Sequence, residues 1–136
     1  MKGILTSLNT PFTNSGELDL DSLTRLVEHT IISGCGGMLG LAVAGEHNTL
    51  NFDEKIQFIE TVTKVNKRRI PFICSVTAAD FNESIELTKS ATSFGADGIC
   101  LQLPSNLKFG KKLFFLEQLE DRSPEILMIQ DLDWFG

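Results

Sequence analysis

Residues 94–101 read FGADGICL, a turn bounded by glycines that leads directly into a short apolar run. Residues 33–38, SGCGGM, repeat the arrangement 61 positions earlier in the chain. In both stretches a glycine typical of a helix C-terminus stands shortly before a strand begins. The separation equals two strand–helix units of about 30 residues each, which predicts a repeated βα architecture.

The rest of the chain alternates in the same way between short apolar runs and longer amphipathic ones. The predicted strands are Gly3–Leu8, Gly37–Val43, Ile70–Thr77, Gly98–Leu103 and Ile126–Leu132. The first predicted helix begins at an N-cap at Asp21 and stops at Gly34. The second begins at an N-cap at Asn51, to which the Glu54 side chain bonds back. The third and fourth cover Asn82–Phe94 and Lys111–Asp121.

Nearly continuous apolar strands are typical of a parallel sheet covered by helices. Two architectures share this pattern. A complete (β/α)₈ TIM barrel needs about 250 residues, so 136 residues would form only about four and a half of its eight units. A five-stranded doubly wound, flavodoxin-like sheet would be complete at this length. Length favours the doubly wound sheet, and the periodicity does not decide between the two.

Length and composition predict one domain spanning residues 1–136, with ordinary globular proportions of apolar (42%) and charged (22%) residues. A net charge of −6 argues against a nucleic-acid or anionic-membrane partner. We find neither an apolar run of about 18 residues nor a signal-peptide pattern, so we expect a cytoplasmic protein. Cys35, Cys74 and Cys100 are widely spaced and are expected to be reduced, and the spacing of cysteines and histidines predicts no metal site.

The second predicted strand breaks abruptly into Gly45, Glu46 and His47. A polar turn at the carboxyl end of a strand is where parallel α/β proteins place ligands, although an ordinary turn into a helix has the same composition. As an ordinary turn, Glu46 would bond backbone N–H groups at the entry to the next helix, and His47 would face solvent or cap that helix.

Several short motifs, in order and at close to constant spacing, resemble the dihydrodipicolinate synthase/N-acetylneuraminate lyase family of Schiff-base-forming (β/α)₈ enzymes. They extend from Gly3 to about Leu127, and the ordered set is more specific than any member. These motifs are Thr10-Pro11-Phe12, Gly16-Glu17-Leu18-Asp19, Gly45-Glu46 with Thr49-Leu50, Asp53-Glu54-Lys55, Arg69-Ile70-Pro71-Phe72 and Gly95-Ala96-Asp97-Gly98 with Pro104.

The resemblance implies that the chain is the N-terminal half of a (β/α)₈ barrel, ending near the fifth strand. It implies a chemistry in which a 2-keto acid such as pyruvate forms an imine on a lysine of the sixth strand. It also implies that a G-T-T-G-E loop after the second strand holds the carboxylate of the keto acid. A tyrosine in a P-Y-Y-N segment after the fourth strand would relay protons. The family's chemistry needs no cofactor.

This sequence departs from the family at its chemical positions. The turn reads Ala42-Val43-Ala44-Gly45-Glu46, without either hydroxyl, and the later segment reads Pro104-Ser105-Asn106-Leu107 in a chain that contains no tyrosine. We therefore predict no catalytic residue here. The resemblance leaves one set of substrate-binding candidates: Val43, Ala44, Gly45, Glu46 and Asn106.

The expected partners are a small 2-keto acid and either a second copy of the chain or a missing C-terminal half. Lys108, Lys111 and Lys112 are expected to be solvated rather than to replace the imine lysine. Asp131 and Asp133 end the fifth predicted strand, where a site and an unprotected edge are equally plausible readings.

Overall fold

Five strands and four helices alternate along residues 2–103 and 108–130, the part of the chain that this computed structural model describes. The strands are β1 (Leu5–Ser7), β2 (Gly37–Gly40), β3 (Phe72–Ser75), β4 (Gly98–Gln102) and β5 (Ile126–Gln130). The helices are α1 (Leu20–Ile32), α2 (Phe52–Asn66), α3 (Phe81–Phe94) and α4 (Phe109–Glu120). The predicted βα alternation is confirmed, with most strands shorter than the apolar runs suggested.

The strands form a single parallel sheet in the order β1-β2-β3-β4-β5. Each strand therefore pairs with the next one along the chain. Since strand–helix–strand connections are right-handed, a sheet that always advances in one direction carries all its helices on one face. A doubly wound sheet reverses direction at a switch point and has helices on both faces. The strand order therefore excludes the flavodoxin-like alternative and supports the barrel half.

The two faces of the sheet differ in what covers them. Met38, Phe72 and Leu101 belong to the main apolar cluster, together with helix residues such as Phe58 and Leu119. We call this side the helix face. The alternate strand residues point to the opposite side, which we call the inner face, and they include Leu39, Ile73, Ser75 and Cys100.

The inner face is closed near the amino ends of the strands by packing across a glycine. A Cβ atom on Gly98 would lie 2.6 Å from Cβ of Ile126 and 2.7 Å from Cδ1 of Ile73. Only a residue without a side chain lets these two isoleucines meet across β4. Ile73 is fully buried as a result, although it belongs to the face without helices.

Helix starts are set by local side-chain caps. Asn51 accepts a hydrogen bond from the backbone N–H of Glu54 at 3.0 Å, and the Glu54 carboxylate accepts one from the Asn51 N–H at 2.8 Å. The predicted capping box of α2 is thus confirmed. The predicted N-cap of α1 is wrong by two positions, since Asp19 rather than Asp21 accepts from the N–H of Ser22 at 2.9 Å.

The second predicted strand also needs correction. It was expected to continue to Val43, but β2 ends at Gly40 and residues Val43–Gly45 form a 3₁₀ turn. Leu41 causes the break because its backbone adopts a φ of 54°, in the left-handed region that no strand residue uses. Its side chain is nevertheless buried, 1% exposed, so core packing holds the unfavourable backbone conformation in place.

The apolar surface is unevenly covered at the fifth strand. Ile99 and Leu101 of β4 are buried in the main apolar cluster, whereas their neighbours in β5, Leu127 and Ile129, are 37% and 52% exposed. Phe114 on α4 is also exposed. Cys74 and Cys100 are buried free thiols, and burial raises the pKa of both. Among the described helices we find none long and apolar enough to cross a membrane.

Candidate functional site

The turn after β2 is the centre of the candidate site because it lies at the carboxyl end of a parallel strand. Its backbone is closed by two hydrogen bonds. Gly45 donates its N–H to the carbonyl of Ala42 at 2.9 Å, and Glu46 donates to the carbonyl of Val43 at 3.0 Å. The N–H groups of Val43 and Ala44 stand at the start of this 3₁₀ turn, where a helix has no internal acceptor to offer. These two donors are therefore the ones the turn leaves for a ligand.

The turn is held in place by the segment that follows β1. The Thr10 hydroxyl donates to the carbonyl of Gly45, and a Cβ atom on Gly45 would lie 2.8 Å from the carbonyl oxygen of Leu8. Such a distance is too short for any side chain. Glycine is therefore required at position 45 by a close approach between two backbones, and the clamp holds the orientation of the preceding N–H groups.

The Glu46 side chain does not bond the backbone N–H groups at the entry to α2, as its position suggested. Its backbone adopts a φ of 54° and its carbonyl accepts from both the N–H and the hydroxyl of Thr49, at 2.9 and 2.8 Å. The side chain itself is exposed. The expected bond from a carboxylate to a backbone N–H group at the start of α2 is made instead by Glu54, which accepts from the N–H of Asn51.

His47 lies beside a buried ion pair that the sequence reading missed. The Lys55 ammonium contacts the Glu83 carboxylate at 2.7 Å, joining the first turns of α2 and α3. The exposed fractions of the two side chains are 8% and 31%. Burial lowers the pKa of the half-buried His47, the Lys55 charge lowers it further, and Glu83 opposes that effect. His47 is thus a partly desolvated neighbour of the turn rather than a solvent-facing residue.

A periodicity signal for the buried lysine was present in the sequence. Lys55 precedes Ile59 by four residues and Val62 by seven, which places it on the buried stripe of α2. Phe52, three residues before Lys55, is 38% exposed. The buried surface of α2 includes Lys55 because the helix packs against α3 as well as against α1.

With the fold and the turn defined, comparison with known proteins identifies the family. The profile of the Dihydrodipicolinate synthetase family matches residues 1–112. The chain belongs to this family. The predicted resemblance is therefore confirmed.

Several curated members of the dihydrodipicolinate synthetase family are similar in sequence. The 4-hydroxy-tetrahydrodipicolinate synthase 2 of Halalkalibacterium halodurans is 37% identical over 101 residues, covering 74% of this chain and 35% of that protein. The trans-O-hydroxybenzylidenepyruvate hydratase-aldolase of Pseudomonas aeruginosa is 30% identical over 134 residues, covering 92% and 40%. The chain thus spans about two fifths or less of the length of these relatives.

Solved structures of family members superpose on nearly the whole chain. The dihydrodipicolinate synthase of Aquifex aeolicus gives a TM-score of 0.88 at 28% identity, covering 97% of this chain and 45% of that one. A prophage protein of the family from E. coli K12, solved in complex with pyruvate, gives 0.89 at 27% identity, with 96% and 44% covered. The five strands and four helices correspond to the N-terminal part of these TIM barrels, and the predicted fold class is confirmed.

The remaining family-derived candidates fall in two groups. Asn106, the Pro104 motif, Asp131 and Asp133 lie outside the described residues. The three lysines after β4 lie on or next to α4, where Lys108 and Lys111 are exposed. All eight lysines of the chain lie outside the five strands. Within residues 2–103 and 108–130 we find no group of three or more His, Cys, Asp or Glu side chains placed to hold a metal ion.

Proposed function

We propose that this chain carries the carboxylate-binding turn of a lyase or aldolase that acts on 2-keto acids of the pyruvate type. The observation that carries the proposal is the clamped turn at the carboxyl end of β2. There the N–H groups of Val43 and Ala44 are left for an acceptor, while Gly45 and Glu46 close the turn. Family membership supports the ligand class, since one similar structure was solved in complex with pyruvate.

We further propose that these 136 residues alone do not turn over a substrate. A catalytic amine must be desolvated and free of a carboxylate partner to attack a carbonyl at neutral pH. Lys55 is buried, but its ammonium group is held by the Glu83 carboxylate at 2.7 Å. The inner face of the described strands carries no lysine. The imine lysine implied by the family would come from a sixth strand.

Trapping with pyruvate and sodium borohydride, followed by intact-mass measurement, tests the absence of an imine lysine. We expect no mass increase in this chain under conditions in which a full-length relative is modified. A stoichiometric adduct on any lysine would refute the proposal, and peptide mapping would show which residue was missed.

The carboxylate grip is tested separately by restoring the lost hydroxyls. Val43→Thr together with Ala44→Thr adds two donors beside the existing N–H groups. We expect pyruvate to bind at least fivefold more tightly to this variant, a ratio that one added hydrogen bond of about 1 kcal/mol produces. Val65→Thr on α2, remote from the turn, is the matched control and should leave affinity unchanged. Equal affinity in all three proteins would argue against the turn as the site.

A second candidate function is a non-catalytic half-barrel that associates through its uncovered surface. Exposed Leu127, Ile129 and Phe114 favour this reading. Two copies would bring ten strands together, two more than an eight-stranded barrel accommodates. A partner supplying three strands fits the barrel better than a second copy. Sedimentation velocity distinguishes self-association from a need for a different partner, since a defined homodimer would favour self-association.

A further inference from the structure

Four of the five described strands end on an uncharged polar residue. Ser7 is the last residue of β1, Ser75 of β3, Gln102 of β4 and Gln130 of β5. The pairing register places all four on the inner face, with Gln102 directly opposite Gln130. A polar rim therefore follows the carboxyl ends of the strands, at the level where the turn after β2 begins.

The rim is partly organised by a hydroxyl. Thr77 accepts the backbone N–H of Gln102 at 2.9 Å, and the Ser75 hydroxyl donates to the same oxygen at 3.3 Å. These bonds fix the end of β4 and occupy Ser75, while the carboxamides of Gln102 and Gln130 make no side-chain hydrogen bond to the described residues. Both glutamines are half-buried. Each carboxamide can both donate and accept.

The surroundings of the two carboxamides select against charged groups. Below the rim, Ile73 and Ile126 pack over Gly98 and close the inner face with apolar atoms. The described strands contain no Asp, Glu, Lys or Arg. A charged ligand group would lose hydration here without gaining a counter-charge from the described strands, whereas a hydroxyl or carbonyl would exchange water for a carboxamide.

Strand spacing sets the size of a ligand that could bridge the rim and the turn. β2 and β4 are separated by β3, so they lie two strand spacings, about 10 Å, apart. Two hydrogen bonds of about 2.9 Å take up more than half of that distance. For Gln102, the remainder matches the span of a three- or four-carbon acid between its carboxylate and a terminal oxygen, and Gln130 lies one strand spacing farther from β2.

We propose that Gln102 and Gln130 bind a hydroxyl or carbonyl oxygen of the same ligand whose carboxylate is held by Val43 and Ala44. This inference rests on the proposed function and extends it to a specificity: the chain prefers 2-keto acids that carry a further neutral oxygen over those that end in a methyl group.

The probes are pyruvate and 3-hydroxypyruvate, titrated into the uniformly ¹⁵N-labelled full chain. We expect both acids to shift the backbone amide signals of Val43 and Ala44, and only 3-hydroxypyruvate to shift the side-chain NH₂ signals of Gln102 and Gln130. We expect 3-hydroxypyruvate to bind about fivefold more tightly. Gln102→Leu should abolish that preference without changing the affinity for pyruvate.

Gln57→Leu, on the exposed side of α2, is the matched control and should keep the preference. Gln130→Leu, on the edge strand, provides a second variant if Gln102→Leu does not fold. A preference that survives in both rim variants would overturn this inference and leave the carboxylate grip intact. Absence of shifts at Val43 and Ala44 with either acid would overturn the proposed function, and the inference with it.

Discussion

Neutralising Glu83 should destabilise the protein more than removing the charge of Lys55, its partner. The two side chains join α2 to α3 through one contact at 2.7 Å, but they are not equally buried. Glu83→Gln leaves the ammonium, 8% exposed, without a counter-charge. Lys55→Met leaves a carboxylate that is 31% exposed and can still be hydrated, and it adds apolar surface to the helix interface.

The magnitude follows from the burial of each group. Breaking a fully buried ion pair costs about 3–5 kcal/mol, and exposed pairs contribute about 0–1 kcal/mol. Partial exposure of Glu83 places Glu83→Gln between these limits, at about 2 kcal/mol. We expect Lys55→Met to cost about 1 kcal/mol or less. The double variant should lie closer to wild type than Glu83→Gln, since it leaves no unpaired ammonium.

Urea unfolding followed by circular dichroism measures these differences. With an m-value of about 2 kcal/mol/M, Glu83→Gln should lower the midpoint by about 1 M. Lys89 and Glu86 form a matched control on α3, because their 2.6 Å contact is about half exposed on both sides. Neutralising either of these two should change the free energy of unfolding by about 0.5 kcal/mol or less.

The pKa of His47, followed by its NMR ring signals, gives an independent check. Lys55→Met should raise this pKa and Glu83→Gln should lower it further, because the two charges act on His47 in opposite directions. The folded-state pKa of His47 lies below the usual value of 6.5, so at a pH between these two values the unfolded chain binds more protons than the folded chain. The contribution of neutral His47 to stability is therefore present above pH 6.5 and is lost as the pH falls through the folded-state pKa.

Three outcomes would contradict this account of the ion pair. If Lys55→Met destabilises as much as Glu83→Gln, then packing of the lysine stem, not the unpaired charge, dominates. If the double variant is as unstable as Glu83→Gln, the ammonium is not the group that loses its partner. A His47 pKa that moves in the same direction in both single variants would contradict the electrostatic account.

Two further substitutions test the packing and the capping. Gly98→Ala should destabilise the protein by about 1–3 kcal/mol, because the new Cβ would lie 2.6 Å from Cβ of Ile126. Thermal unfolding should show a lower midpoint for this variant. Gly110→Ala is the control and should be neutral or stabilising, since its new Cβ would meet nothing within 4 Å. Asn51→Ala should cost about 1 kcal/mol in urea unfolding by removing the cap of α2, and Asn51→Ser should retain most of it; equal losses in these two variants would rule out the cap as the cause.

The sequence was most informative where interactions are local. The capping box of α2 spans four residues, Asn51 to Glu54, so its pattern can be read directly. The glycines before β2 and β4 mark turns in the same way. These signals predicted the βα alternation and placed a polar turn after the second strand. They also identified the family, because its motifs are short and ordered along the chain.

The tertiary structure decided what depends on contacts between distant residues. Length and pattern allowed two sheets, and only the strand order β1-β2-β3-β4-β5 excluded the doubly wound one. The end of β2 depends on Leu41, whose left-handed backbone is held by burial rather than by local preference. The polar rim depends on the register between strands, as in the pairing of Gln102 with Gln130, which are 28 positions apart in the chain. A single chain position carries no record of its neighbour across the sheet, so these features appear only when the strands are paired.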